Sequence, residues 1–80
     1  MTADPEIILK KKLLDRTISD CKLIDANYEK INLLMSELDD HRLNGRWTDY
    51  DKTVNDIMKL NTEITDTENR CRTRLGLSKL

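Results

Sequence analysis

The sequence predicts an all-α protein: an antiparallel, coiled-coil-like two-helix hairpin that oligomerises into a helical bundle or ring. Three observations predict it. Apolar residues recur at spacings of three, four and seven along two long stretches. A single short segment, Asn44-Gly45-Arg46-Trp47, separates those stretches. Gly and Pro together number three, aromatic residues supply 4% of the chain and charged ones 36%, a composition of long helices rather than of strands or disorder.

The first helix is expected over residues 5–43. Asp4 can accept from free backbone N–H groups, Pro5 suits the first helical position, and Glu6 adds negative charge at the positive end of the dipole. No Gly or Pro interrupts the chain from Glu6 to Asn44. At ~1.5 Å per residue this helix is about 58 Å long. Ile7, Leu14, Cys21, Tyr28 and Met35 recur every seven residues, with Ile24, Ile31 and Leu38 beside them, and together read as the buried stripe.

A turn follows at 44–48. Asn44 and Gly45 fit the left-handed geometry that closes a helix. Thr48 is the expected N-cap of the second helix, with Asp51 in the place of a capping-box acid. That helix is expected over 49–75. Gly76 is its stop, and Arg70, Arg72 and Arg74 lie near its end, where cations are favoured. Tyr50, Val54, Ile57, Ile64, Cys71 and Leu75 continue the three–four spacing.

A short connection makes the helices antiparallel neighbours. With the turn centred near residue 46, Leu38 faces Val54, Met35 faces Ile57, Tyr28 faces Ile64 and Cys21 faces Cys71. Two levels become mixed, Ile31 with Asn61 and Ile24 with Glu68. Either these polar residues fix register, or helix 2 is turned so that they sit at the stripe's edge. The cysteines are expected as two buried thiols, with a disulfide as the alternative if their Cα atoms lie within bonding reach. Trp47 is expected to cover the turn, with Tyr50 one turn on; the alternative is an exposed interface anchor.

A second apolar set lies off the main stripe: Leu9, Leu13, Ile18, Leu23, Leu34, Met58 and Leu60. One hairpin cannot cover both sets, so these residues are the expected oligomer interface, and the first expected partner is a second copy of the chain. A chain this short also builds a small core on its own.

Charge is unevenly placed. Residues 7–22 carry five bases against two acids and residues 69–80 carry four bases, whereas residues 23–68 carry eleven acids against five bases. In the hairpin both basic segments gather opposite the turn, which polarises a chain of net charge −1. Lys10, Lys11, Lys12, Arg16, Arg70, Arg72 and Arg74 are therefore the candidate contacts to nucleic-acid phosphates or to an acidic protein surface. The solvated-face explanation, with cations matched to the helix dipole, competes with that reading.

The chain carries no Gly-rich phosphate loop, paired catalytic carboxylates or nucleophile motif. His41 is the only histidine. It lies about 30 Å along the first helix from Cys21, too far for a Cys–His pair within one hairpin, and makes no metal site with Asp39 and Asp40. No enzyme, cofactor, metal or small-molecule substrate is expected. The longest apolar runs are far short of a membrane span, and the first residues lack a secretory layout. Two cysteines without a C-x-x-C spacing fit a reducing compartment. The expected location is the cytoplasm, or that of a host if the chain is viral.

From Tyr50 to Leu77 a polar heptad helix ends in Arg72-Thr73-Arg74-Leu75-Gly76-Leu77-Ser78. This segment of about 30 residues resembles the C-terminal part of some phage terminase small subunits. The resemblance implies a non-catalytic helical oligomer, commonly a ring, that presents viral DNA to a packaging motor. Members of that family often carry a separate DNA-binding segment, for which this chain has no room, so the Lys10–Lys12 and Arg70–Arg74 clusters would have to replace it. The turn also resembles that of small secreted Trp-x-Gly hairpin proteins, with the two residues in reversed order here. The leading expectation is an oligomerising adaptor, for which the resemblance implies a place in phage DNA packaging. The alternative is a nucleic-acid-binding four-helix-bundle regulator that uses the basic end.

Overall fold

The computed structural model describes residues 4–80. Met1–Ala3, the first residues of the stretch considered as a secretory signal, lie outside the described residues. Two helices, α1 (Pro5–Leu43) and α2 (Trp47–Arg74), pack antiparallel as a hairpin. The rod measures 67 × 23 × 12 Å, so it is one helix thick. Its radius of gyration is 18.3 Å, against ~12 Å for a compact chain of this length.

The start of α1 follows its local chemistry. Asp4 caps the helix, its Oδ1 accepting from the Glu6 N–H at 3.0 Å, and Pro5 occupies the first helical position. Both helices end alike. Gly45 (φ 66°) and Gly76 (φ 76°) adopt the left-handed conformation. The Arg46 N–H reaches the His41 carbonyl at 2.9 Å and the Leu77 N–H reaches the Arg72 carbonyl at 2.7 Å. Inner bonds from Gly45 to Arg42 and from Gly76 to Thr73 complete two Schellman closures.

The turn is shorter than expected. Arg46, not Thr48, is the N-cap of α2, and no side chain caps it. Once Gly45 has reversed the chain, the Tyr50 N–H bonds to the Arg46 carbonyl at 2.9 Å, which places Thr48 inside the first turn. Asp40 supports the reversal from α1. Its carbonyl accepts from Asn44 Nδ2 at 2.8 Å, and its carboxylate pairs with Arg46. Trp47 does not cover the turn. It is 59% exposed and meets Tyr50 edge-to-face, with ring centroids 5.5 Å apart.

The buried stripe is also corrected. On α1 the seam runs through Leu13, Thr17, Asp20, Ile24, Asn27, Ile31, Leu34, Leu38 and His41. Ile24, Ile31 and Leu38 are in it as expected, whereas Ile7, Leu14, Cys21, Tyr28 and Met35 are exposed, about 100° round the helix from the residues that precede them. On α2 the seam runs through Tyr50, Thr53, Ile57, Leu60, Ile64, Thr67, Cys71 and Arg74. Both lists keep a strict alternation of three and four, the 3.5-residue repeat of a coiled coil.

A physical reason favours this rotation. Turning Cys21 and Tyr28 inward would carry Asp20 outward and break its bonds to α2. It would also put Tyr28 in the place of Asn27, which is 3% exposed, one turn from the level of Thr67, which is 2% exposed. Two seam hydroxyls are satisfied within their own helices: the buried Thr67 donates to the Glu63 carbonyl at 2.8 Å and the half-buried Thr17 to the Leu13 carbonyl at 2.9 Å. Asn61 is exposed and Glu68 sits at the seam's margin, which corresponds to the edge placement considered above.

Candidate self-association face and basic end

Three bonds tie the helices together at the end opposite the turn. Arg74 Nη1 pairs with Asp20 Oδ2 at 2.9 Å and donates to Thr17 Oγ1 at 3.4 Å. Cys71 Sγ donates to Asp20 Oδ2 at 3.4 Å. The partners' numbers add to 94, 91 and 91, so the expected facing value of 92 lies within their range. Burial would raise the Asp20 carboxyl, but the hydrogen bonds from Arg74 and Cys71, together with the Arg74 and Arg70 charges, outweigh it and hold the group below its ordinary value of 3.8. Burial, and then the carboxylate of Asp20, push the Cys71 thiol above its ordinary 9.0. Cys71 is thus a protonated donor inside the seam. Cys21 is exposed and both thiols are free, which corrects the expectation of two buried thiols.

This cluster draws on the proposed phosphate contacts. Arg74 is held by Asp20. Arg72 donates through Nε to the Ser78 carbonyl, and Arg70 donates to Thr67 Oγ1 at 3.1 Å. Lys10, Lys11, Lys12 and Arg16 remain exposed on α1. Arg70, Arg74 and Lys79 share one open groove of about 670 Å³ with Asp66, Asn69 and Thr73. The basic residues therefore gather at one end, but only part of the set is directed to solvent.

The second apolar set is divided. Leu13, Leu34 and Leu60 lie in the intramolecular seam, half-buried, while Leu9, Ile18, Leu23 and Met58 are exposed. The residues previously expected inside now line the outside. Ile7, Leu14, Cys21, Tyr28 and Met35 form an exposed stripe along α1, with Ile18 one turn from both Leu14 and Cys21.

The two broad faces of the hairpin differ as a result. One carries that stripe. Its grooves mix apolar and charged side chains: Cys21, Ile24, Cys71 and Leu80 with Asp25, Glu68 and Arg72 toward the open end, and Met35, Leu38 and Tyr50 with Asp39 and Arg42 toward the turn. On α2 the seven-residue series Trp47, Val54, Asn61, Glu68 and Leu75 borders the same side, the side on which Glu68 meets the Cys21 groove. The other face is charged. Its grooves carry Glu37, Asp49, Lys52 and Asp56 around His41, then Glu63, Asp66 and Arg70 around Asn27, with Leu23 as the exposed apolar side chain among them. His41 is half-buried, and its Nδ1 is enclosed without a hydrogen-bond partner.

Among the described residues no three His, Cys, Asp or Glu side chains are grouped to hold a metal ion. No helix there is long and apolar enough to cross a membrane. Sequence reading missed Asp20 and the small polar seam. Their signal was present, because residues 20, 27, 34 and 41 keep the seven-residue period, as do 53, 60, 67 and 74. It was masked by the more apolar series one position away. No known protein family matches the chain, and no curated protein or solved structure does so either.

Proposed function

We propose that this chain is a non-catalytic helical adaptor that works by self-association, as a small component of phage DNA packaging. The observation that carries the reading is the imbalance of apolar burial. Among the described residues Ile64 and Cys71 alone are buried apolar side chains, whereas fifteen large hydrophobic side chains are exposed. A partner surface is the economical way to cover such a set, and the Arg72–Ser78 resemblance supports the packaging context. Sedimentation equilibrium, with circular dichroism on the same samples, tests the association. A dimer or larger assembly at micromolar concentration is expected. A fully helical monomer across that range would remove the reading. Native mass spectrometry with DNA tests the context, since a packaging component should form a closed ring of one copy number.

A second reading, nucleic-acid binding by the basic end, is favoured by the exposure of Lys10, Lys11, Lys12 and Arg16. Fluorescence anisotropy with duplex DNA and with RNA decides it. Binding should weaken steeply with salt and should fall at least about tenfold when Lys10–Lys12 are replaced by Ala. Binding without either response would eliminate this reading.

A further inference from the structure

We infer that two copies pair face to face through the apolar side of the hairpin, antiparallel, about a two-fold axis at the level of Tyr28 and Ile64. This rests on the self-association proposed above and adds the surface, the direction and the register.

The choice of face follows from the asymmetry of the rod. The side bearing Leu14, Cys21, Tyr28 and Met35 exposes an apolar stripe along about 32 Å of α1, at ~1.5 Å per residue, with Asp25, Asp39, Arg42, Glu68 and Arg72 at its borders. The opposite side carries Lys52, Asp56, Glu63, Asp66 and Arg70, which would have to be desolvated in an interface. The rod is 23 Å wide. Overlap of the helices from Leu14 to Arg42, about 42 Å at ~1.5 Å per residue, therefore offers a face of roughly 970 Å² per copy, enough for a standard specific interface of about 800 Å² per partner.

Charge sets the direction. Residues 7–22 are net +3 and residues 69–80 are +4 before any terminal charge, while residues 23–68 are net −6. A parallel pair would stack two basic ends on each other. An antiparallel pair lays each basic end over the other copy's turn end, where Glu37, Asp39, Asp40, Asp49, Asp51 and Asp56 outnumber Arg42, Arg46 and Lys52.

Two stripes then fix the register independently. With the axis at Tyr28, that residue meets its own copy and Cys21 meets Met35 of the second copy. On α2 the equivalent level puts Val54 opposite Leu75 and Asn61 opposite Glu68, so apolar meets apolar and amide meets carboxylate. The arrangement also covers two loose ends of the hairpin. α2 ends at Arg74, level with Thr17, so residues 5–16 of α1 run on for about 18 Å as a single helix. A helix of that length is marginal alone, and Ile7 and Leu14 are exposed on it. The chain after Leu75 does not extend along it, because the Leu80 N–H returns to Asn69 Oδ1 at 2.9 Å. In the pair, the exposed Trp47 of the second copy comes level with the gap between Ile7 and Leu14.

Cysteine cross-linking tests this in a Cys21→Ser/Cys71→Ser background, with diamide as oxidant and circular dichroism to verify folding. Tyr28→Cys is expected to form a covalent dimer at least tenfold faster than Leu14→Cys or Lys30→Cys. In a Cys71→Ser background that keeps Cys21, Met35→Cys is expected to yield dimers joined between positions 21 and 35, identified by peptide mapping. Cross-linking of Leu14→Cys as fast as that of Tyr28→Cys would show a parallel pair, and faster cross-linking of Lys30→Cys would show pairing through the charged face. Either result overturns this arrangement and leaves self-association standing. A monomer by sedimentation overturns both.

Discussion

Removing the Asp20–Arg74 pair should weaken the hairpin in a pH-dependent way. The perturbation is a double-mutant cycle of Asp20→Asn and Arg74→Gln. At 2.9 Å two unit charges attract with about 6 kcal/mol at an effective dielectric near 20. That gross figure is reduced by desolvation and by the ordering of two side chains. The pair is also 18% and 19% exposed, between a surface bridge of about 0.2–1 kcal/mol and a buried pair whose disruption costs about 3–5 kcal/mol. We expect a coupling of about 1–2 kcal/mol at pH 7. Asp20→Asn alone should cost more than the coupling, because Arg74 and Cys71 both lose their acceptor. The carboxyl lies below 3.8 in the folded protein, so the folded state binds its proton less readily than the unfolded chain. Its stabilisation is therefore complete above the unfolded value and is lost as pH falls through the lowered folded value. Urea unfolding followed by circular dichroism, at pH 7 and at pH values below 3.8, measures both effects. A coupling under about 0.3 kcal/mol at pH 7, or one that persists after the carboxyl is protonated, would refute the reasoning.

Three further outcomes follow from the packing. Ile64 is 4% exposed, so Ile64→Ala should cost about 2–4 kcal/mol in urea unfolding, whereas Leu33→Ala, at a site 69% exposed, should change stability by under about 0.5 kcal/mol; equal effects would contradict the seam. Gly45→Ala meets open space at Cβ but a φ of 66°, so thermal unfolding should report a loss of about 1 kcal/mol from backbone strain alone, and an unchanged melting curve would mean that the turn is not as described. In a Cys21→Ser variant, the buried Cys71 thiol, pushed above 9.0, should react with a thiol reagent at least about a hundredfold more slowly than in the unfolded chain; rapid labelling of the native protein would place it outside the seam.

The sequence by itself determined the elements. Asp4-Pro5 and Asn44-Gly45 mark the two ends of α1 through local backbone chemistry, and Gly76 marks the close of α2 in the same way. The turn position then follows, and with it the antiparallel pairing level. The start of α2 was less legible, because Thr48 has cap chemistry while the actual cap, Arg46, is set by how the Schellman closure delivers the chain. Only the tertiary structure decided which side of each helix faces inward. Residues 21, 28 and 35 are more apolar than 20, 27 and 34 taken together, so a hydrophobicity pattern selects the wrong neighbour of Ile24 and Ile31. The choice between two positions about 100° apart depends on contacts that exist only once both helices are present: Asp20 reaching Arg74 and Cys71 across the gap, and Asn27 and Thr67 buried between the helices. That rotation in turn leaves Leu14, Cys21, Tyr28 and Met35 outside, where they form the face that one hairpin does not cover.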